Sequence, residues 1–313
     1  MKAENYILGA GPAGLIAAYY LENFKIIDKK PLGQLKLPFI PGPRLLQATE
    51  NMKMFVKEVC PDVEMKTEIC IIGFNEDGNV SESPSKNFKA NYAMKTRGEN
   101  KSESSFMSEG MTEIEHIELG DYGEDSYKFL FETLLNKIKD RGQLLETNVQ
   151  QIDTFKKQIY IEDGSKLEYN NLVSTLNMNL LKKLSSNMES MPHDFSTNTK
   201  CFYKTEYKED IETLLSDKTH PSLWFDYVYS VGTDWTRQTF FRDYIVYESV
   251  NPIDDTHIQG NKIIMKFENL PIQIKESLRL ETVDGVKMLG RFAEWDHQVK
   301  ANEVLDKVKS WIN

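Results

Sequence analysis

The chain has 313 residues, with 38 Lys+Arg against 48 Asp+Glu, a formal net charge of −10, a hydrophobic share of 40% and a charged share of 27%. That much apolar material excludes wholesale disorder, no run of about 18 apolar residues offers a membrane span, and the acidic balance argues against general nucleic-acid binding. Three scattered cysteines, Cys60, Cys70 and Cys201, make neither a disulfide framework nor a zinc site. No basic segment or cleavage site frames the apolar residues 6–21 as a signal peptide, so a reducing, cytoplasmic setting is expected.

Length leaves room for about two domains. The pattern predicts a short buried strand over 5–8, an Ala- and Leu-rich helix over 13–22 and a second strand over 24–28, the size of one βαβ unit. After Pro41-Gly42-Pro43 a helix is expected over about 45–59, then a strand over 68–74 ending at the turn Asn75-Glu76-Asp77-Gly78. Residues 81–112 are rich in Ser, Lys, Asn and Glu, with Phe88, Tyr92, Phe106 and Met107 isolated; they read as a loose surface insertion, or alternatively as a lid over a cleft. A helix is predicted over Ser126–Arg141, with Gly142 placed as its C-cap. Strands follow over 144–150, 157–162, 166–169 and 172–175, with Asp163-Gly164 as a hairpin turn. Aromatic and β-branched runs within 199–270 predict a mostly antiparallel sheet, and the chain closes with a strand over 286–290 and a helix over about 299–312.

Gly9-Ala10-Gly11-Pro12-Ala13-Gly14 fits the G-x-G-x-x-G pattern between a predicted strand and helix. Gly9 would make the tight turn, Gly11 would let the backbone approach a pyrophosphate, and Gly14 would let helix and strand close up. Pro12 and Ala13 open the helix, whose N-terminus offers free N–H groups and a positive dipole end to the phosphates. Asp28 ends the second strand about 20 residues beyond the first glycine, where a carboxylate accepts hydrogen bonds from ribose hydroxyls. It would repel a 2′-phosphate, an effect that Lys29 or Lys30 softens.

Further segments follow in a set order. Gly33-Gln34-Leu35 comes after Asp28, then Gly42-Pro43-Arg44-Leu45-Leu46-Gln47, then the helix over 126–141, Leu145–Ile152, the Asp163-Gly164 hairpin and Leu172–Leu176, and last Leu289-Gly290-Arg291-Phe292-Ala293-Glu294-Trp295. Over roughly residues 3–50, 120–185 and 285–313, this layout resembles the FAD-dependent superfamily of flavin amine oxidases, protoporphyrinogen oxidase and UDP-galactopyranose mutase. Two details depart from it. The flavin loop at Gly33 has one glycine where the family has two, and Arg44 and Gln47 stand where the mutases carry two histidines.

The resemblance implies an α/β fold. A Rossmann-like FAD-binding domain would be assembled from 1–50, 120–185 and 285–313, and a smaller, mostly antiparallel substrate domain from 51–119 and 186–284, carrying the polar insertion 81–112. It implies FAD as cofactor, held by Gly9, Gly11, Pro12, Ala13, Gly14, Asp28 and Lys29, then by the loop Gly33, Gln34 and Leu35, and by Arg44. Val149 would meet the adenine through its backbone, and Gly290, Arg291, Gln298 and Val299 would pass the flavin. A helix N-terminus or Arg291 there would stabilise the negative charge that flavin reduction places near N1 and O2.

The implied chemistry is two-electron transfer between a small substrate and flavin N5 by an oxidoreductase of the amine-oxidase type. The alternatives are a mutase-like flavin isomerase and a non-catalytic binding protein on a flavoprotein scaffold, as the Rab-escort relatives are. Candidate reaction-site residues are Arg237, suited to a carboxylate or phosphate group, and Trp295, as a wall. Arg242 and His297 are secondary candidates, and no metal site is expected. The partner expected is a small, anionic substrate, with no membrane and no nucleic acid.

Overall fold

A computed structural model describes residues 3–37, 45–97, 113–185, 188, 195, 197–206, 226–241, 244–254, 262–274, 277–296 and 299–312. Among them the strands fall into two sheets, of eight and nine strands.

The first sheet runs from Thr282–Val283 through Val286–Met288, Lys166–Ser174, Glu4–Leu8 and Phe24–Ile27 to Leu144–Leu145. All its neighbours from Val286–Met288 onward pair in parallel. Period-two alternation sends Ile7, Ile26 and Val173 into one core and Tyr6, Leu8, Ile27 and Leu172 into another. Burial on both faces is why these strands read as nearly continuous apolar runs. One face is covered by the helices Pro12–Tyr20, Ser126–Asp140 and Ala301–Ile312. Leu130, Leu134 and Ile138, four residues apart, are fully buried there, each worth about 1.5–3 kcal/mol over exposure. From the central strand Glu4–Leu8 the chain crosses to Phe24–Ile27 on one side, while Lys166–Ser174 lies on the other. This reversal of order opens a crevice at the carboxyl end of the central strand.

Lys166–Ser174 is one strand where the sequence predicts two. Its first part forms the hairpin with Gln158–Ile161, and its second part pairs with Glu4–Leu8. The register jumps between Tyr169 and Asn171, leaving Asn170 as a bulge whose Nδ2 donates to the Ala3 carbonyl at 2.9 Å. The polar pair Asn170-Asn171 marks a change of partner strand, not a break.

The second sheet runs Lys262–Ile274, Thr197–Glu206, Tyr244–Ser249, Arg237–Phe240, Tyr227–Ser230, Met65–Glu76, Glu113–Leu119, Leu46–Gln47, with Asn79–Ser81 paired on Met65–Glu76. It is antiparallel, as expected, except at one seam, where Tyr227–Ser230 lies parallel to Met65–Glu76. The seam is tied reciprocally: Ile71 N donates to Asp226 Oδ2 at 2.5 Å, and Asp226 N donates to the Ile71 carbonyl at 2.9 Å. With nine strands against eight, this sheet is not the smaller of the two.

Two expectations change. The helix predicted from 45 begins at Glu50; Leu46–Gln47 is a strand, and Thr49 caps the helix by accepting from Met52 N at 3.3 Å. That helix, Glu50–Val59, sends Met52, Phe55, Val56 and Val59 into the core beneath the first sheet. The stretch 81–112 is not wholly a loose insertion: Phe88–Arg97 is a helix, with Phe88, Tyr92, Ala93 and Thr96 buried along one face. Residues 98–112, with Phe106 and Met107, lie outside the described residues.

Candidate functional site

The glycine turn sits in the crevice at the end of the central strand. Gly9 has φ +96°, and a Cβ there would stand 2.5 Å from Thr175 Oγ1. A Cβ on Gly14 would stand 1.9 Å from the Gly9 carbonyl oxygen, so the helix can lie this close to the turn only without a side chain. A Cβ on Gly11 would meet nothing within 4 Å. Pro12 occupies the first helical turn, no side chain caps the helix at Gly11, and no acidic residue lies in that turn. The first N–H groups of this helix lack intrahelical partners, and Gly11, Pro12 and Ala13 line a cavity. That is the arrangement a phosphate requires.

From this turn a cavity of about 650 Å³ extends along the molecule. Asp28 lines its start, with one carboxylate oxygen accepting from Ala10 N and the other from Lys30 N, both at 2.6 Å. The two bonds fix the carboxylate beside the turn and leave lone pairs for a further donor. Leu32, Gly33 and Leu35 continue the wall. Lys29 turns away to pair with Glu162 at 3.2 Å. The side chain of Gln34 and the whole of Arg44 lie outside the described residues.

In mid-cavity, Gly290 crosses the start of the first helix. Its φ is +91°, and a Cβ there would stand 2.8 Å from the Ala13 Cβ. Gly290 N donates to Glu294 Oε1 at 2.8 Å, and Lys307 pairs with the other oxygen at 2.9 Å. This fastens the Gly-Arg segment to the last helix. Arg291, Val299, Lys300 and Ala301 line the cavity here, at the start of the helix Ala301–Ile312. Gln298 and His297 lie outside the described residues.

The far end lies on the second sheet. Tyr229 is registered opposite Arg237, and Arg237 opposite Glu248; Tyr227, two residues from Tyr229, shares its face. Helix Phe88–Arg97 brings Tyr92 and Thr96 to the same wall, and strand Thr197–Glu206 brings Lys200. Glu248 is buried and pairs with both Lys200 Nζ and Arg237 Nη2. Burial alone would raise its carboxyl pKa, but Arg237 and Lys200 outweigh burial and hold it at about 2. Burial likewise disfavours the Arg237 cation, yet Glu248 more than offsets this and raises its pKa. Burial pushes the phenols of Tyr92, Tyr227 and Tyr229 above their ordinary value, so all three stay neutral at pH 7. The Arg237 guanidinium stands 5.9 Å from the Tyr229 ring centre.

Of the residues singled out in the sequence, the cavity wall collects Gly9, Gly11, Pro12, Ala13, Asp28, then Gly33 and Leu35, and finally Arg237, Gly290, Arg291 and Val299. Gly14 acts one layer behind, through helix contact. Trp295 is not on the wall. It is fully buried in the core on the opposite face of the first sheet, edge-on to Phe195 with ring centres 5.1 Å apart, because the turn after Gly290 directs it inward. Val149 belongs to a hairpin strand packed on that same core, also off the wall. Arg242 lies outside the described residues. Tyr92, Thr96, Tyr227, Tyr229, Lys200 and Glu248 were not among the sequence candidates. The four-residue spacing of Phe88, Tyr92 and Thr96 was the available signal for a buried helix face.

No family model and no curated protein sequence matches the chain. Solved structures do. Reduced UDP-galactopyranose mutase superposes with a TM-score of 0.72 at 11% identity, over 100% of this chain and 94% of that one. A CLA-producing fatty acid isomerase from P. acnes gives 0.64 at 12% identity, over 99% and 98%. Putrescine oxidase bound to putrescine gives 0.64 at 8% identity, over 100% and 99%. The chain has the fold of UDP-galactopyranose mutase and putrescine oxidase.

Proposed function

We propose that the chain is a flavoenzyme that binds FAD along this cavity and carries out two-electron chemistry on a small substrate at the Arg237 end. The observation that carries the reading is the continuity of one cavity from an uncapped glycine turn to a buried cluster of charges and phenols. The residues present fit the cofactor. The open space at Gly11 and the free N–H groups of the first helical turn suit a diphosphate, and Asp28 retains lone pairs for ribose hydroxyls. FAD, when bound, supplies a centre that takes up or returns a hydride or an electron pair. Arg291, Lys300 and the start of helix Ala301–Ile312 place positive charge in mid-cavity, where reduction adds negative charge. Arg237, Tyr92, Tyr227 and Tyr229 bind and orient the substrate and keep water from it.

The outcome within this class is oxidation of the substrate, as in the amine-oxidase type. A second reading is isomerisation without net redox change, favoured by the likeness to a mutase and an isomerase. Purified protein should be yellow, with flavin absorbance bands, and should release FAD identified by mass. Colourless protein that takes up no added FAD refutes the flavin reading, leaving a non-catalytic scaffold. Anaerobic bleaching of the colour by substrate identifies an oxidase. Turnover only after dithionite reduction identifies an isomerase. Among the described residues no helix is long and apolar enough to cross a membrane.

A further inference from the structure

We infer that the Arg237 end of the cavity selects a substrate bearing one negative charge, an organic carboxylate, and disfavours ammonium substrates. The inference rests on the flavoenzyme reading for what happens to the substrate, but the charge argument stands on the cluster itself. Among the described residues, the charged side chains lining this end are Lys200, Arg237 and Glu248. Both cations pair with the single carboxylate. Arg237 gives Nη2 to Glu248 and stands on the cavity wall, where a planar oxyanion is the group that a guanidinium's fork geometry matches.

The phenols around it reinforce the choice. Tyr92, Tyr227 and Tyr229 are neutral here and bring hydroxyl groups without adding negative charge. Their rings meet edge to face, 5.2 Å apart for Tyr92–Tyr229 and 5.4 Å for Tyr227–Tyr229, and offer an apolar surface to the body of the acid. An ammonium group brought to this end meets Arg237 and Lys200 across a medium that screens poorly. A dianion would add a second buried negative charge beside Glu248. One carboxylate is therefore the best match to two cations sharing one acid.

Calorimetric titration of the purified protein with benzoate, benzylamine and phenyl phosphate tests this, with FAD content read from the visible spectrum of the same sample. Benzoate should bind at least about ten-fold more tightly than either of the others. Arg237→Gln should weaken benzoate at least about ten-fold while leaving FAD content unchanged. Should Arg237→Gln fail to fold, Tyr227→Phe, which removes one hydroxyl, should weaken benzoate several-fold. The inference is overturned by benzylamine or phenyl phosphate binding as tightly as benzoate, by no benzoate binding to the wild type, or by benzoate affinity unmoved in the variant. The spectrum reports separately on the flavin reading: benzoate selectivity in colourless protein would uphold the charge assignment and sink only the cofactor.

Discussion

Replacing Gly11 and Gly14 one at a time by alanine separates cofactor binding from folding at the glycine turn. Gly11 has φ −78° and ψ −178°, an extended conformation open to any residue, and an added Cβ touches nothing within 4 Å. Gly11→Ala should gain about 0.4–1 kcal/mol from a stiffer unfolded chain and lose roughly 0.5–1 kcal/mol because Ala is a poorer N-cap than Gly. Its stability should stay within about 1 kcal/mol of wild type. Its methyl stands in the space a diphosphate needs to reach the first N–H groups. Losing two such bonds to a charged group removes about 3–6 kcal/mol, a drop in FAD affinity of roughly 10²-fold or more. Gly14→Ala places its Cβ 1.9 Å from the Gly9 carbonyl oxygen and must push the helix off the turn. It should cost about 1–3 kcal/mol of stability as an overpacked site. Thermal unfolding of the cofactor-free proteins and fluorescence titration with FAD measure the two effects. Gly11→Ala that retains wild-type FAD affinity, or that unfolds as readily as Gly14→Ala, would refute the assignment of these roles.

Other outcomes follow from the charged groups. Glu248 is depressed from the ordinary 4.5 to about 2 by Arg237 and Lys200 acting against burial, so its stabilisation is complete above pH 4.5 and lost as pH falls to 2. Glu248→Gln should cost about 3–5 kcal/mol near neutrality, as removal of one partner of a buried pair does. In urea unfolding, the gap between wild type and variant should narrow from pH 4.5 to pH 2, and a gap independent of pH would contradict the pairing. Lys95 Nζ donates to the carbonyls of Ser230 and Trp235 at 3.0 and 2.6 Å, and burial lowers its pKa to about 8 from 10.5 despite Asp234 nearby. Here the unfolded chain holds the proton to higher pH, so this group's contribution to stability rises from pH 8 to 10.5. Lys95→Met should lack that rise, and identical pH profiles for the two proteins would argue against it.

Much of the glycine-turn end of the cavity was legible because its constraints are local. A turn that needs Gly9, a helix contact that needs Gly14 and a carboxylate at Asp28 all sit within one βαβ unit, and periodicity suffices to find it. The far end was not legible as a set. Arg237 was visible as an arginine on a strand, but its meaning depends on Glu248 opposite it and on Lys200 two strands away, and register across an antiparallel sheet is not written in any single window. Tyr92 and Thr96 were hidden by composition. The Ser and Lys around them gave the segment a loop-like average, although the buried positions kept helical spacing. Trp295 shows the opposite failure. It follows the Gly-Arg segment closely in sequence, yet the turn there sends it to the other side of the sheet.

The single parallel pairing in the second sheet bears on how the protein comes into being. It joins Ile71 to Asp226, 155 positions apart, and Tyr229 and Arg237 lie just beyond it. Closing so long a loop is entropically slow compared with forming the βαβ unit near the N-terminus. On the ribosome, the glycine turn can begin to organise early, whereas the Arg237 end of the cavity has no opposite wall until Tyr227–Ser230 has emerged. A nascent chain stalled before Asp226 would carry the first glycines with half a chamber, its edge strand Met65–Glu76 bare and open to pairing with whatever strand came near.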